Sequence, residues 1–232
     1  MTTDTALSAD DFVAALKAHD QRYWHAHPFH QRLHAGELDE EALRDWVANR
    51  WYYQKILPQK DAAIIANCPV GAVRRRWLDR IVYQDGRAEG EGGLAEWLAL
   101  ADAVGLTSEE VLTERRVVPG VRFAADAYVT FARTRPWTEA VAASLTELFS
   151  PDLMAERMSA IRQNYKWVRP EGLRYFEKRK DAARDDAESA LDIVLANCTT
   201  RPLQDAAIAA LSFKCDVLWS LLDSIEHART AA

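Results

Sequence analysis

Cysteine and histidine are scarce in this sequence. Its three cysteines are Cys68, Cys198 and Cys215, and none lies in a Cys-x-x-Cys pair or beside a histidine. The sequence therefore indicates neither a disulfide framework nor a zinc site. All six histidines lie within residues 19–34 or at residue 227, so histidine chemistry can come only from those two parts of the chain.

The sequence also lacks a long apolar run and an excess of positive charge. No apolar stretch approaches the roughly 18 residues that span a bilayer. A formal net charge of −6 argues against a general nucleic-acid binder. The first residues, MTTDTALSADD, are polar and acidic, unlike a secretory signal. We therefore expect a cytoplasmic protein that binds neither membranes nor nucleic acids.

Helical periodicity dominates what is present, and no strand pattern, linker or internal repeat interrupts it. The predicted helices run from Ser8 or Asp10 to His19, from Asp39 to Pro69 with a kink or break at Pro58, and over residues 72–83, 94–104, 108–115, 122–132, 139–149, 152–165, 171–198 and 202–228. Short connections join them. This pattern predicts an all-α protein, a single-domain helical bundle over residues 1–232.

Polar side chains interrupt helices that otherwise favour the core. Arg50 and Gln54 stand four residues apart and share one helix face, and Lys60 follows beyond Pro58. A guanidinium, an amide and an ammonium are seldom buried unless an anion meets them. The alternative is a solvated face that happens to be basic.

Later helices repeat this pattern. Tyr175 and Arg179 stand four residues apart, and Lys214 and Glu147 have apolar neighbours. The polar residues that could converge come from at least five helices: Arg50, Lys60, Arg76 or Arg80, Arg157, Arg179 and Lys214, with Tyr23, Tyr128 and Tyr175. Together they would form a cationic, aromatic-lined cavity for a polycarboxylated aromatic ligand. Ordinary salt bridges with some of the 35 acidic residues are the alternative.

The sequence contains no pattern typical of a metal site or a nucleophile. Di-iron carboxylate bundles need Glu-x-x-His motifs, which are missing here. His30 and His34 have the spacing of a zinc helix but no HExxH glutamate, so we interpret them as surface or helix-end histidines. Cys68 and Cys215 have structural surroundings, and there is no Gly-x-Ser-x-Gly elbow.

Several stretches resemble the pyrroloquinoline-quinone synthase family. They are WVANRWYYQKILPQKDAAIIANCP, RRRWLDRIVYQDG, EGGLAEWLALADAVGL, PGVRFAADAYVTFAR, ASLTELFSP, GLRYFEKR and LSFKCDVLWSLLD. They span almost the whole chain. The resemblance implies a bundle of the haem-oxygenase/TenA-like type that holds neither haem nor metal and forms a homodimer.

The family resemblance also implies a reaction. It is the oxidative ring closure of a tricarboxylated bicyclic amino-quinone precursor to pyrroloquinoline quinone. Dioxygen is the co-substrate, hydrogen peroxide is released, and no cofactor is used. By position, the implied catalytic residues are Tyr175, Arg179, Lys214, Gln84 and Tyr23. The implied substrate-binding residues are Arg50, Gln54, Lys60, Arg80, Tyr128, Thr146, Glu147 and Arg157.

The sequence departs from the family at three pocket positions. Trp24, Gln84 and Met154 stand where the family has histidines. Glutamine can form hydrogen bonds but cannot exchange a proton near neutral pH. The expected function is thus a PQQ-synthase-type oxidase. A diverged paralogue with a related substrate and a non-catalytic binder of a carboxylated aromatic are alternatives. A metal-dependent oxidase of the same fold and a thiaminase-type hydrolase are less favoured.

Overall fold

A computed structural model describes residues 5–149 and 152–230, without the side chains of Glu147 and residues 181–184. The regular structure of these residues is helical throughout. The α-helices are α1 (Ala9–Lys17), α2 (Pro28–Ala35), α3 (Glu40–Asn67), α4 (Gly71–Asp85), α5 (Gly92–Ala103), α6 (Ser108–Leu112), α7 (Pro119–Thr134), α8 (Trp137–Ala142), α9 (Leu153–Asn164), α10 (Arg174–Asn197) and α11 (Arg201–Thr230). Short 3₁₀ segments lie at Asp20–Arg22, Trp24–Ala26, Leu145–Phe149 and Pro170–Leu173.

Local signals set the start of the first long helices. Ser8 caps α1, and its hydroxyl accepts a hydrogen bond from the Asp11 N–H. The Asp39 carboxylate caps α3 by accepting from the Ala42 N–H at 2.7 Å. Gly36 ends α2 with φ of 78°, a left-handed conformation that favours glycine.

The sequence predicts a kink or a break at Pro58, and the break is wrong, because α3 runs through Pro58 as one helix of 28 residues. A proline inside a helix removes one backbone hydrogen bond and costs about 3 kcal/mol or more. The α3 helix is the centre of the bundle and packs on α4, α5 and α7, with Pro58 itself buried. The apolar surface buried on both sides of Pro58 offsets that cost.

The predicted helix over residues 139–149 is also corrected. It divides into α8, which begins at Trp137, and the 3₁₀ segment Leu145–Phe149. Ser144 lies between them, and its hydroxyl accepts a hydrogen bond from Lys60 at 3.2 Å. The interruption therefore turns polar side chains toward α3.

Around α3, the helices α10 and α11 pack against α8, and α11 also packs along α7. The largest buried side chains include Trp46, Trp77 and Trp97. Within the described ranges, no helix combines the length and apolarity needed to cross a membrane. The division of the chain into one domain stays a prediction.

Candidate active site

A cavity lies inside the bundle, between α3, α4, α7, α10 and α11. The volume open to the centre of a water molecule is about 70 Å³. Most of the side chains named from the sequence line it: Tyr23, Arg50, Gln54, Lys60, Arg80, Gln84, Tyr128, Thr146, Tyr175, Arg179 and Lys214. The predicted convergence of polar helix faces is thus present in the structure.

Two basic residues considered from the sequence do not line the cavity, and the side chain of one acidic residue is not described. Arg157 is buried but is not among the residues that line the cavity; it packs against Trp24 and Trp46, each ring centroid 5.5 Å from its guanidinium carbon. Arg76 is exposed on α4, so Arg80 is the member of that pair that reaches the cavity. The side chain of Glu147 lies outside the described residues.

Other wall residues did not emerge from the sequence. Among them, the sequence singles out Trp24 and Met154, but only as departures from the family. It does not indicate the others as site residues, which are Tyr53, Leu57, Asp61, Tyr83, Ser144, Asp186 and Leu218. A signal for two of them existed. Asp61 follows Gln54 by seven residues and Asp186 follows Arg179 by seven, a spacing that repeats one helix face.

Asp61 is held from several sides. The Lys60 ammonium donates to its carboxylate, and Trp77 Nε1 donates to Oδ1 at 2.7 Å. The Nε atom of Arg80 lies 3.8 Å from the same oxygen. All of these side chains are largely buried, so Asp61 is a fixed counter-ion of the cationic wall.

Lys214 is surrounded by aromatic rings. It is 1% exposed and donates a hydrogen bond to the Tyr53 hydroxyl. Its ammonium nitrogen lies 3.6 Å from the centroid of the Tyr128 ring. The Tyr128 hydroxyl in turn lies 3.2 Å from the Ser144 hydroxyl. A cation–π contact of this kind stabilises a desolvated ammonium without neutralising it.

Arg50 is a buried cation whose hydrogen bonding is incomplete. Its guanidinium carbon lies 3.9 Å from the centroid of the Trp24 ring and 4.6 Å from that of Tyr53. Burial lowers the pKa of Arg50, and its Nε and Nη1 atoms have no hydrogen-bond partner among the described residues. Such unmet donors are costly unless a ligand satisfies them.

The wall as a whole is positively charged. Arg50, Lys60, Arg80, Arg179 and Lys214 supply five cations, against the described carboxylates of Asp61 and Asp186. Gln54 connects this wall to Tyr175, since its Nε2 donates to the Tyr175 hydroxyl at 2.6 Å. The arrangement suits a ligand with several carboxylates that also offers aromatic surface.

The three departures from the family pattern all lie on the cavity wall. Trp24 is 2% exposed and Gln84 is 5% exposed, while Met154 is half-buried. A Cβ at Gly93 would lie 2.6 Å from Gln84 Oε1, so a glycine on α5 makes room for the amide. Histidine is missing from the wall over the part of the chain that the structure describes.

The interpretation of His30 as a surface or helix-end residue is wrong. His30 is fully buried, and its Nδ1 lies 2.9 Å from the Trp24 carbonyl oxygen and 3.4 Å from Arg157 Nη2. Burial, with Arg157 next in size, holds the pKa of His30 well below its usual value. His34 at the end of α2 is half-buried, and the same two causes lower its pKa to about 4. Helix α2 packs on α9, which brings Arg157 to both imidazoles.

The described residues contain no group of three or more histidine, cysteine, aspartate or glutamate side chains placed to hold one metal ion. The three cysteines are buried thiols, and burial raises the pKa of Cys198 and Cys215 to about 11. These two thiols are therefore poor nucleophiles near neutral pH.

A family model described as TENA/THI-4/PQQC matches residues 13–224. The chain belongs to this family. It is 48% identical over 230 residues to a pyrroloquinoline-quinone synthase of Cronobacter sakazakii, with 99% of this chain and 92% of the relative covered. A pyrroloquinoline-quinone synthase of Acidiphilium cryptum is 49% identical, with 96% of this chain and 91% of the relative covered.

Solved structures share the fold at low sequence identity. A TenA homologue from Pseudomonas syringae superposes with a TM-score of 0.76 at 16% identity, covering 96% of this chain and 94% of that one. A domain from Shewanella denitrificans, described as having a heme oxygenase-like fold, gives 0.80 at 13% identity, with coverage of 97% and 94%. The predicted all-α, haem-oxygenase/TenA-like bundle is confirmed.

Proposed function

We propose that this chain is a pyrroloquinoline-quinone synthase, an oxidoreductase that uses dioxygen as the electron acceptor. The observation that carries the proposal is its 45–49% identity to proteins of that name over nearly its full length. The cavity supports the same conclusion independently, since its wall is cationic and rich in aromatic rings. The substrate is the tricarboxylated bicyclic amino-quinone precursor, which closes its ring oxidatively.

The cationic wall binds and orients the precursor. Its carboxylates pair with guanidinium and ammonium groups that have little access to water, where such pairs are stronger than at a surface. Arg50 supplies two donors that lack partners among the described residues, and Arg80 with Arg179 supplies a second anion-binding site. Tyr128, Thr146, Gln54 and Lys60 complete the binding wall, with Arg157 supporting it from behind Trp24.

The substrate itself supplies the electrons. The amine of the precursor adds to its quinone ring, which closes the new ring and leaves the product of this addition at the quinol level. That quinol gives an electron pair and two protons to dioxygen, which leaves as hydrogen peroxide. The protein moves protons and keeps bulk water out. We assign this role to Tyr175, Arg179, Lys214 and Tyr23, with Gln84 as a hydrogen-bonding residue. Tyr175 and Arg179 are nearest the oxygen chemistry in this proposal, and no metal or redox cofactor takes part.

A second candidate function is a diverged paralogue or a non-catalytic binder of the same class of ligand. The observation that favours it is the replacement of three family histidines by Trp24, Gln84 and Met154, all on the wall. Such a protein keeps the residues that bind carboxylates and loses groups that transfer protons. The proposed cytoplasmic homodimer applies to either function.

A single-turnover experiment separates the two. Metal-free protein is mixed with the precursor, with and without dioxygen, and the absorbance of the quinone is followed. Oxygen-dependent formation of pyrroloquinoline quinone with release of hydrogen peroxide supports the synthase. A precursor that binds but stays unchanged contradicts it and favours the binder or the paralogue.

A further inference from the structure

Asp186 occupies an unusual place in the cavity wall. Its Oδ2 accepts a hydrogen bond from Arg179 Nη1 at 2.8 Å, and its Oδ1 lies 3.4 Å from Arg80 Nη1. One carboxylate thus bridges two arginines from α4 and α10. Both arginines line the cavity, and so does Asp186.

The two described wall carboxylates differ in how firmly they are held. The Asp61 side chain is 4% exposed and receives a hydrogen bond from Trp77 besides its cationic contacts. The Asp186 side chain is 22% exposed and contacts two arginines, Arg80 and Arg179. Moving Asp186 out therefore leaves two arginines that a ligand carboxylate can take over, whereas moving Asp61 would also remove the acceptor of Trp77 Nε1.

We propose that Asp186 is an exchangeable internal counter-ion that occupies the binding site of a ligand carboxylate. This inference rests on the proposed function only in that the ligand carries carboxylates. When a ligand binds, its carboxylate takes over Arg80 and Arg179, and Asp186 turns toward solvent. The residue thereby sets the affinity of the site for anions.

The exchange has a physical advantage. A carboxylate that bridges two largely buried guanidinium groups offsets part of the cost of removing them from water. With Asp186 in place the positive charge of this site is partly neutralised and the site is formed in advance, and the ligand replaces one carboxylate by another. The free energy gained when the ligand binds is therefore smaller than it would be without the Asp186 carboxylate, and this favours release of an anionic product.

The test measures binding of benzene-1,3,5-tricarboxylate, a carboxylated aromatic without an amine, by calorimetry at low ionic strength. We expect Asp186→Asn to lower Kd about fivefold, the effect of removing one partly exposed competing ion pair. Asp186→Ser should do the same, which excludes an effect of the new amide. The matched control is Asp185→Asn, an exposed neighbour on α10 that changes the net charge equally and should leave Kd unchanged.

The inference is overturned if Asp186→Asn and Asp186→Ser bind the tricarboxylate no more tightly than wild type while keeping its helical circular dichroism. It is also overturned if Asp185→Asn tightens binding equally, because net charge then explains the effect. Failure of wild type to bind the probe overturns it as well. A protein that shows the expected tightening but forms no pyrroloquinoline quinone supports this inference and contradicts the synthase.

Discussion

Arg179 and Lys214 contribute cations from α10 and α11 to one cavity wall. Both are largely buried, Lys214 against Tyr53 and Tyr128 and Arg179 against Asp186. A ligand carboxylate that loses a buried cationic partner is left uncompensated, at a cost of several kcal/mol.

We therefore expect Arg179→Ala or Lys214→Ala to lower kcat/KM for the precursor by at least about a hundredfold. Circular dichroism should show the fold retained. Arg75→Ala, an exposed arginine on α4, serves as the control and should keep full activity. Wild-type activity in both cavity variants would contradict the assignment of the site.

Substitutions of Gln84 test whether the cavity wall lacks a proton-transfer group. The Gln84→His substitution restores the family's histidine at this position. It places a group with a pKa near neutral on the wall, and we expect turnover of the precursor to rise. The rate should then depend on pH around the histidine pKa, which the wild-type rate should not. No gain, together with a harmless Gln84→Ala, would show that this position takes no part.

At the scale of the residue, sequence patterns could predict most of the basic wall but not its counter-ions. Arg50 with Gln54 and Tyr175 with Arg179 stand out, because each pair repeats one helix face among apolar neighbours. Asp61 and Asp186 carry the same spacing, but acidic residues are common in this chain. Which of them face inward depends on how the helices rotate against each other.

At the scale of the element, α3 determines where the wall lies. Its continuity through Pro58 keeps Arg50, Gln54 and Lys60 on one rigid helix. Local propensity predicts a break there, while tertiary packing on both sides preserves the helix. Propensity is a weak local preference that packing overrides when enough apolar area is buried.

The start of α3 provides a stability prediction. Asp39 accepts a hydrogen bond from the Ala42 N–H and pairs with Arg229, and the latter pair is largely exposed. Asp39→Ala should lower the free energy of unfolding by about 1 kcal/mol, since the cap is lost. Asp39→Asn keeps a capping oxygen and should lose less, as urea unfolding can measure. Equal losses would mean that the pair with Arg229, rather than the cap, stabilises the helix.

At the scale of the whole molecule, the buried His30 and the half-buried His34 make stability depend on pH. The pKa of His34 is about 4 in the folded protein, below its ordinary value of 6.5, and that of His30 is shifted in the same direction. The unfolded chain therefore binds more protons between these values. It follows that the free energy of unfolding decreases as the pH falls below 6.5.

The measurement is urea unfolding between about pH 6.5 and pH 5, above the range in which ordinary carboxylates titrate. We expect stability to fall with pH in the wild type and to fall less in His34→Gln. His227→Gln, an exposed histidine near the end of α11, should leave the slope unchanged. An unchanged slope in His34→Gln would contradict the lowered pKa of His34.

The sequence by itself determined that this protein is a helical bundle with basic and aromatic side chains on otherwise apolar helices. Apolar spacing and the chemistry of capping residues act within a few residues, so they can be interpreted along the chain. Only the tertiary structure decided that Arg157 stands behind Trp24, that His30 is buried, and that Asp186 bridges Arg80 and Arg179. Those outcomes depend on the packing of helices that are distant in sequence, and no local pattern contains that information.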